Sequence, residues 1–207
     1  MGRPERPPPQ GDEAELTKIE PSAKGAYFVT TPQLEIREPL EDELTAMLRV
    51  TNASYAEFRD GSPDAFWDTY LVNIEETILR APHTERIPAF FDGELVASVL
   101  LCRKPLKGDD PEIRLLAVLP HLRTRGIARR LMDECELRVR RMGQTRVVLH
   151  TTHLMSIARH WYESSGYVRF EAIDFYPVPG FLVMGFAKDL STGPTQKALA
   201  PSADTNS

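Results

Sequence analysis

The spacing of apolar residues switches repeatedly between a helical and a strand period along the central part of the chain. Near-helical spacing runs through Glu41–Arg59, and again after Ser62-Pro63, where Ser can cap a helix and Pro can take its first position. The second stretch places five large apolar residues on one face, namely Trp67, Tyr70, Leu71, Ile74 and Ile78. Both stretches are predicted to be amphipathic helices.

A β-hairpin is predicted farther along the chain. Strand-like segments at Ile87–Phe91 and Leu95–Leu101 flank Asp92-Gly93, a residue pair that type I′ turns favour. Another strand is predicted at Glu112–Val118, after a loop that contains Gly and Pro. Shorter apolar runs predict the remaining strands, which are Leu34–Arg37, Val147–His150, Tyr167–Phe170 and Phe181–Ala187.

A long helix is predicted to begin near Arg125-Gly126, and a shorter one covers Met155–Ser165. The apolar stripe of the long helix consists of Ile127, Leu131, Cys135 and Val139, and its other face is charged. The resulting order of elements is β-α-α-β-β-β-α-β-α-β-β, which indicates one mixed α/β domain.

Both ends of the chain differ in composition from this central part. Residues 1–25 are rich in Pro, Glu, Gly and Lys, and residues 191–207 are rich in Ser, Thr, Ala and Pro. Such segments bury too little apolar surface to offset the entropy of ordering, so both are predicted to be disordered tails. The folded domain is predicted to span residues 26–190.

Charge and composition narrow the class of partner and the location. The net charge of −5, from 25 basic and 30 acidic residues, disfavours nucleic-acid binding and suits a cationic substrate. No apolar run is long enough to span a bilayer, and no secretory signal is recognisable, so a cytoplasmic protein without membrane contact is expected. The two cysteines, Cys102 and Cys135, are expected to be buried thiols. No histidine and carboxylate spacing predicts a metal site.

The segment from Glu112 to Ala128 has the features of an anion-binding site. A strand leads through a short loop into a long helix, and the backbone N–H groups of such a junction attract phosphate. Gly126 allows a close approach of the backbone, while Arg123 and Arg125 add positive charge. On this segment alone, a plain helix start after a basic loop is an equally good interpretation.

Two motifs in this order resemble those of the GNAT superfamily of N-acyltransferases. Arg123-Thr-Arg-Gly126-Ile-Ala128 is similar to the coenzyme-A-binding signature of the family. The later segment Ala158-Arg-His-Trp-Tyr162-Glu-Ser-Ser-Gly166-Tyr167 is similar to the family's following helix. The resemblance covers essentially the whole folded part. It implies a single-domain α/β GNAT-like fold, with a central mixed, mostly antiparallel sheet flanked by helices. Thr124 and Met155 stand where many members have Gly and Asn.

The resemblance implies roles for particular residues. Acetyl-CoA is the expected acyl donor, without a metal. Its pantetheine arm is expected on the backbone of Leu116 and Val118, and Val118 N–H is expected to bind the oxyanion. The pyrophosphate is expected at the start of the long helix, at Arg123, Arg125, Gly126, Ile127 and Ala128.

Acid and base are needed because an alkyl amine is only about 0.04% neutral at pH 7 and the departing thiolate needs a proton. Tyr162 is the expected acid. Glu112 is the expected base, because Glu112–Val118 resembles the strand that carries a Glu base in the histone-acetyltransferase branch of the family. A carboxylate paired with Arg114 or solvent is an equally good interpretation, and His150 and His153 are alternative bases.

The resemblance implies that the acceptor enters beside the first two helices and the last strand pair. Aromatic Tyr55, Phe58, Trp67 and Tyr70 could form its walls, with acidic Glu57, Asp60, Asp64 and Asp68, and the loop Asp174–Gly180 as its rim. The alternative is that these aromatics are core and the acids are a solvated helix face. The predicted function is acetyl or short acyl transfer to a primary amine of a small molecule. A protein Lys or N-terminal acetyltransferase and a catalytically silent acyl-CoA sensor remain alternatives, and a homodimer is left open.

Overall fold

The N-terminal part of the chain alternates short strands with two helices, in a computed structural model that describes residues 18–21, 27–30, 33–105 and 108–191. Its elements are β1 (Lys18–Pro21), β2 (Tyr27–Thr30), β3 (Leu34–Ile36), α1 (Leu44–Tyr55) and α2 (Asp64–Leu79). Single 3-10 turns at Glu41–Glu43 and Ala56–Phe58 extend α1 at both ends. The helical segment predicted over Glu41–Arg59 is therefore confirmed.

The rest of the chain is rich in strands and adds two helices. Its elements are β4 (Thr84–Phe91), β5 (Glu94–Cys102), β6 (Glu112–Val118), α3 (Ile127–Arg141), β7 (Arg146–Thr152), α4 (Ser156–Ser164), β8 (Val168–Arg169), β9 (Phe175–Val178) and β10 (Phe181–Asp189). The strand predicted at Glu112–Val118 is confirmed. The predicted hairpin is confirmed as well, because Asp92 and Gly93 have φ angles of 51° and 81°, the positive values that a type I′ turn requires.

Eight strands form the main sheet in the order β3-β4-β5-β6-β7-β10-β8, with β9 also paired to β10. Among the described residues, β6 and β7 form its parallel pair and the other pairs are antiparallel. The predicted α/β domain with a mixed, mostly antiparallel sheet is therefore confirmed. β1 and β2 pair with each other in a separate two-stranded sheet.

Helices cover both faces of the main sheet. Leu101 of β5 packs in one core cluster with Leu131 of α3, whereas the adjacent Leu100 packs in a second cluster with Met47 of α1 and Ile74 of α2. Because successive side chains of a strand point to opposite faces, α3 lies on one face and α1 with α2 on the other. Each such buried leucine contributes about 1.5–3 kcal/mol to folding.

A short strand lies within the segment of residues 1–25 that is predicted to be a tail. Lys18–Pro21 forms β1 and pairs antiparallel with Tyr27–Thr30. Composition alone missed this pairing because the β-prone sequence Tyr-Phe-Val-Thr supplies a partner strand. Residues 1–17, 22–26 and 192–207 lie outside the described residues.

The prediction that Ser62 caps α2 is wrong. Pro63 is the N-cap residue, since its carbonyl accepts the first helical hydrogen bond from Trp67 N–H at 2.9 Å. The Ser62 hydroxyl turns away and donates to the Phe58 carbonyl at 2.7 Å. The Ser62 hydroxyl, which was expected to cap α2, therefore stabilises the connection that precedes the helix.

Candidate active site

A gap opens in the middle of the sheet where its two parallel strands part. β6 and β7 pair only at Glu112 with Val148 and at Ile113 with Leu149. On its other side β6 has a bulge, because Arg114 pairs with Leu100 while Ala117 pairs with Ser98. Leu115 lies in this bulge with a φ angle of 51°. The bulge bends β6 away from β7 and leaves backbone polar groups at the gap.

A cavity of about 240 Å³ lies beside this gap, between α2 and the β9–β10 hairpin. We call it the aromatic cavity. α1, α2 and the turn between them contribute Tyr55, Phe58, Phe66, Trp67 and Tyr70, and the hairpin contributes Phe175 and Phe181. The four aromatic residues predicted to form acceptor walls therefore do line one cavity, although Tyr55 and Trp67 are also part of a core cluster.

The four acidic residues predicted to join them do not line this cavity. Glu57 pairs with Arg123 at 2.6 Å and Asp64 with Arg59 at 2.6 Å. Asp60 and Asp68 are exposed. These acids belong to the solvated helix surface.

Glu112 lies in the cavity wall and is almost fully buried, with 2% of its side chain exposed. Its Oε1 atom is 2.8 Å from His150 Nδ1 and 3.8 Å from Arg114 Nε. Arg114 in turn donates to Asn73 Oδ1 on α2 at 2.8 Å. The carboxylate is thus held in place from β6 itself and from the neighbouring strand β7.

His150 engages both of its ring nitrogens. Nε2 lies 3.0 Å from the Ile173 carbonyl oxygen, which can only accept, so Nε2 carries a proton. Nδ1 lies 2.8 Å from Oε1 of Glu112, and His150 also lines the aromatic cavity itself. His153, the other histidine considered as a base, is exposed and contacts the Phe181 ring at 5.6 Å between centroids.

Tyr162 lies on α4 and is 9% exposed. Its ring packs against those of Trp161 and Tyr167, with centroids 5.5 and 5.9 Å away. Burial, and then the neighbouring Tyr55 phenol, raise the pKa of Tyr162 far above its usual value. Its hydroxyl therefore stays protonated and can only donate or accept a hydrogen bond at neutral pH. Tyr162 does not line the aromatic cavity, whereas Met155, at the start of the same helix, does.

The N-terminus of α3 presents unpaired backbone donors. Gly126 is the N-cap residue with a φ angle of 74°, and no side chain caps the helix. The first helical bond runs from Arg130 N–H to the Gly126 carbonyl, so the N–H groups of Ile127 and Ala128 precede the hydrogen-bonded ladder. Apart from its chain neighbours, no atom of the described residues lies within 4 Å of a Cβ built at Gly126. The requirement for glycine therefore comes from the left-handed backbone, and not from crowding within the chain.

The predicted backbone contacts on β6 differ in their surroundings. Leu119 N–H donates to the Val96 carbonyl on β5 at 3.0 Å. Because N–H groups alternate between the two edges of a strand, Val118 N–H points to the opposite edge, where β7 has parted. The Leu116 carbonyl accepts a hydrogen bond from the Tyr55 hydroxyl at 3.3 Å.

The two arginines of the loop have different environments. Arg125 is exposed at the helix start, with its guanidinium 5.9 Å from the Phe91 ring centroid. Arg123 instead contacts α1 and the 3-10 turn after it, because it donates to the Ser54 carbonyl at 3.1 Å and pairs with Glu57. In this structure its side chain holds the loop against the first helices.

Several cavity residues could not be found from the sequence. Thr151 and Thr152 end β7 in the cavity wall, and their buried hydroxyls have no hydrogen-bond partner among the described residues. The segment Asp174–Gly180, predicted to be a loop, contains β9 at Phe175–Val178. Pro177 argues against a strand in the sequence, because proline cannot donate a hydrogen bond to a neighbouring strand. In the structure, pairing with β10 holds this segment extended.

A reactive thiol, a metal site and a membrane-spanning helix are three further features that were considered from the sequence. Cys102 and Cys135 are buried free thiols, as expected, and burial raises the pKa of both. Among residues 33–105 and 108–191, no group of three His, Cys, Asp or Glu side chains is arranged to hold a metal ion. No described helix has the length and apolar character needed to cross a membrane.

Residues 46–167, more than half of the chain, match the sequence profile of the Acetyltransferase (GNAT) family. The chain belongs to the GNAT acetyltransferase family. Membership assigns acyl transfer from coenzyme A as its general chemistry, in agreement with the resemblance of the two motifs. No curated protein matches the chain in sequence.

Solved structures of GNAT proteins share the fold. PaiA N-acetyltransferase from Thermoplasma acidophilum, a complex with coenzyme A, has a TM-score of 0.60 and 16% identity over 76% of this chain and 99% of that chain. A GNAT acetyltransferase from Staphylococcus aureus Mu50 has a TM-score of 0.58 and 17% identity over 76% and 99%. The ribosomal-protein-S18-alanine N-acetyltransferase from Escherichia coli has a TM-score of 0.56 and 16% identity over 79% and 98%.

Proposed function

We propose that the protein transfers an acetyl group from acetyl-CoA to the primary amine of a small molecule bound in the aromatic cavity. The observation that carries this proposal is a buried carboxylate, Glu112, in the cavity wall where β6 and β7 part. The cavity of about 240 Å³ lies between α2 and the β9–β10 hairpin. A concave site of this kind suits a small molecule better than a protein segment.

The acyl donor fits the structure on the other side of the gap. The N–H groups of Ile127 and Ala128, the left-handed Gly126 and the exposed Arg125 form a site for a pyrophosphate. Arg123 would contribute through its backbone, because its side chain already pairs with Glu57. The backbone of Leu116 and Val118 would bind the pantetheine arm along the open edge of β6. When bound, acetyl-CoA supplies the thioester that is attacked.

Glu112 is proposed as the base. Substrate amines are mostly protonated at neutral pH, so a carboxylate near the amine helps to generate the nucleophilic form. His150 is a positioning residue, because it fixes Oε1 of Glu112 at 2.8 Å and is itself fixed by the Ile173 carbonyl.

Tyr162 is proposed as the hydrogen-bond donor to the departing sulfur, and Val118 N–H as the donor to the oxyanion. The substrate ammonium loses one proton to Glu112, and the neutral nitrogen then forms a bond to the acyl carbon. The nitrogen releases a second proton to solvent as the carbon–sulfur bond breaks. The thiolate receives a hydrogen bond from Tyr162 and is then protonated. Because the raised pKa makes Tyr162 a weaker acid than a free phenol, solvent can complete this last transfer.

The test is release of free coenzyme A thiol from acetyl-CoA with a panel of amines. With an accepted amine, Glu112→Gln is expected to lower kcat at pH 7 by about 10²-fold or more, and by less at high pH, where the amine deprotonates unaided. Tyr162→Phe is expected to lower kcat by about tenfold or more. Glu163→Gln, an exposed neighbour of Tyr162, is the matched control and should leave kcat unchanged.

Three outcomes would contradict the proposal. An unchanged rate for folded Glu112→Gln at all pH values would remove Glu112 from the mechanism. Turnover of Lys-containing or N-terminal peptides but of no small amine would favour a protein acetyltransferase. Binding of acetyl-CoA without thiol release for any amine or peptide would favour a silent sensor.

A further inference from the structure

The aromatic cavity is lined by many aromatic rings and by few charged side chains. Of the described residues that line it, seven are Phe, Tyr or Trp, and one, Glu112, is acidic. Rings from α2 and from the hairpin contact one another in the cavity wall. Phe66 of α2 lies 5.0 Å from Tyr70 and 4.4 Å from Phe181 of β10, between ring centroids. A flat apolar group that enters here meets aromatic surface from both α2 and β10.

The carboxylate in this wall already has cationic or proton-donating partners. Glu112 contacts His150 at 2.8 Å, and Arg114 lies 3.8 Å away and also lines the cavity. The acidic residues of the nearby helix surface lie outside the cavity. A substrate with two or more ammonium groups would therefore bury at least one of them without a carboxylate, which is costly.

One ammonium group, in contrast, can be satisfied. Thr151 and Thr152 are 2% and 6% exposed, and their hydroxyls have no partner among the described residues. Both line the cavity with Glu112. Because these successive residues of β7 point to opposite faces, a single amine can donate to the carboxylate and to one of the two hydroxyls. This would also remove the cost of leaving that hydroxyl unpaired.

We propose that the acceptor is a primary monoamine with an aromatic or similarly flat apolar body. Its amine lies at Glu112 and one of the two threonine hydroxyls, and its body lies between α2 and the β9–β10 hairpin. Polyamines and aminoglycosides are expected to be poorer acceptors, because the described residues that line the cavity offer no carboxylate for a second ammonium group. This inference rests on the proposed function for its assay, and on the cavity alone for its binding prediction.

Three amines separate the contributions of ring and charge. 2-Phenylethylamine and n-butylamine differ in the ring, whereas n-butylamine and 1,4-diaminobutane differ in the second ammonium. At saturating acetyl-CoA, kcat/KM is expected to fall by about tenfold at each step of this series, from phenylethylamine to butylamine to diaminobutane. A diamine that is used as well as or better than phenylethylamine would overturn the proposal.

A charge placed at the rim should shift this preference. Ala65 is exposed on α2 and lines the cavity, so Ala65→Asp adds a carboxylate without removing a ring. We expect it to raise the ratio of kcat/KM for diaminobutane over phenylethylamine by about tenfold. Val72→Asp is the matched control, since it adds the same charge at an exposed position of α2 outside the cavity. Equal shifts in both variants would show that net charge, and not the cavity, sets the preference.

Calorimetry distinguishes failure of this inference from failure of the proposed function. If no amine releases thiol, the three amines are titrated into the protein in the presence of coenzyme A. Binding of phenylethylamine about tenfold or more tighter than that of diaminobutane would support the acceptor class even without catalysis. Equal binding, tighter binding of the diamine, or no detectable binding of phenylethylamine would overturn it.

Discussion

Thr124 and Gly126 both adopt left-handed backbone conformations, two residues apart in the loop before α3. Their φ angles are 67° and 74°. Glycine reaches this region without strain, whereas a residue with a Cβ loses roughly 1–2 kcal/mol there, and a β-branched residue is an outlier. The Thr124 hydroxyl donates to the Arg123 carbonyl at 2.6 Å, a local bond that offsets part of this cost.

We expect Thr124→Gly to raise the free energy of unfolding by up to about 1 kcal/mol, because relief of strain exceeds the added entropy of the unfolded chain. Gly126→Ala, the same comparison in the opposite direction, should lower it by about 1 kcal/mol. Urea denaturation of both variants measures the two changes. If Thr124→Gly were destabilising by a similar amount, the left-handed conformation at Thr124 would be wrong.

The residue roles show how far motif reasoning extends. Gly126 and Glu112 could be singled out from the sequence because each belongs to a local pattern, a helix start and a strand. The partnership of Glu112 with His150 could not, because the two residues are 38 positions apart and meet only through the parallel pairing of β6 with β7. For the same reason the sequence left open which of these side chains acts as base.

At the scale of elements, an ion pair joins the end of β3 to the start of the first helical segment. Arg37 donates to both carboxylate oxygens of Glu43, at 2.8 and 2.7 Å, and Leu40 N–H donates at 2.7 Å. These hydrogen bonds, that from Arg37 first, lower the pKa of Glu43 from 4.5 to about 2. In the unfolded chain the carboxyl would take up a proton at higher pH than in the folded protein.

The contribution of Glu43 to stability is therefore complete above pH 4.5 and is lost as the pH falls from 4.5 towards about 2. We expect Glu43→Gln to reduce the loss of stability between pH 5 and pH 3, measured by urea denaturation at both values. Glu41→Gln, at an exposed position of the same turn, is the matched control and should leave that loss unchanged. A parallel pH dependence of Glu43→Gln and the parent would contradict this assignment.

A second pair joins α3 to β10. Lys188 Nζ lies 2.7 and 2.8 Å from the two carboxylate oxygens of Glu136, which is 8% exposed, and Tyr167 donates to the same carboxylate at 3.1 Å. Removal of the cation leaves a buried carboxylate with a single neutral donor. Such a loss is costly, although the partial exposure of Lys188 reduces the effect.

Lys188→Met is expected to lower the free energy of unfolding by about 2–4 kcal/mol, and Glu136→Gln in the same chain should recover part of that loss. Lys104→Met, at an exposed lysine, is the control and should change little. The measurement is again urea denaturation. A double variant that is less stable by the sum of the two single changes would show that the pair is not coupled.

For the whole molecule, binding of coenzyme A should appear as thermal stabilisation. At a coenzyme concentration of 100 times Kd, the free energy of unfolding is expected to increase by about 2.7 kcal/mol. Arg125→Glu should weaken binding by about tenfold, because it reverses a charge beside the open N-terminus of α3. Arg141→Glu reverses a charge at the other end of the same helix and should leave Kd unchanged. Equal effects of both variants would argue against a pyrophosphate site at Gly126.

Most helices and strands, and the family, could be predicted from the sequence alone. Hydrophobic period, the Asp92-Gly93 turn and the glycine before α3 depend on neighbours within a few residues, so they are readable from the chain. The motifs around Gly126 and Tyr162 then identified the fold, because they combine such local features in a fixed order.

The surroundings of the proposed acceptor site, in contrast, could be seen only in the tertiary structure. The parting of β6 and β7, the approach of β9–β10 to α2 and the neutral balance of the cavity all depend on contacts between residues far apart in sequence. Arg123 shows the same limit, because its motif suggested a phosphate ligand while α1 holds its side chain. Local patterns fix which residues are present at a site, and long-range packing fixes which of their charges remain available to a substrate.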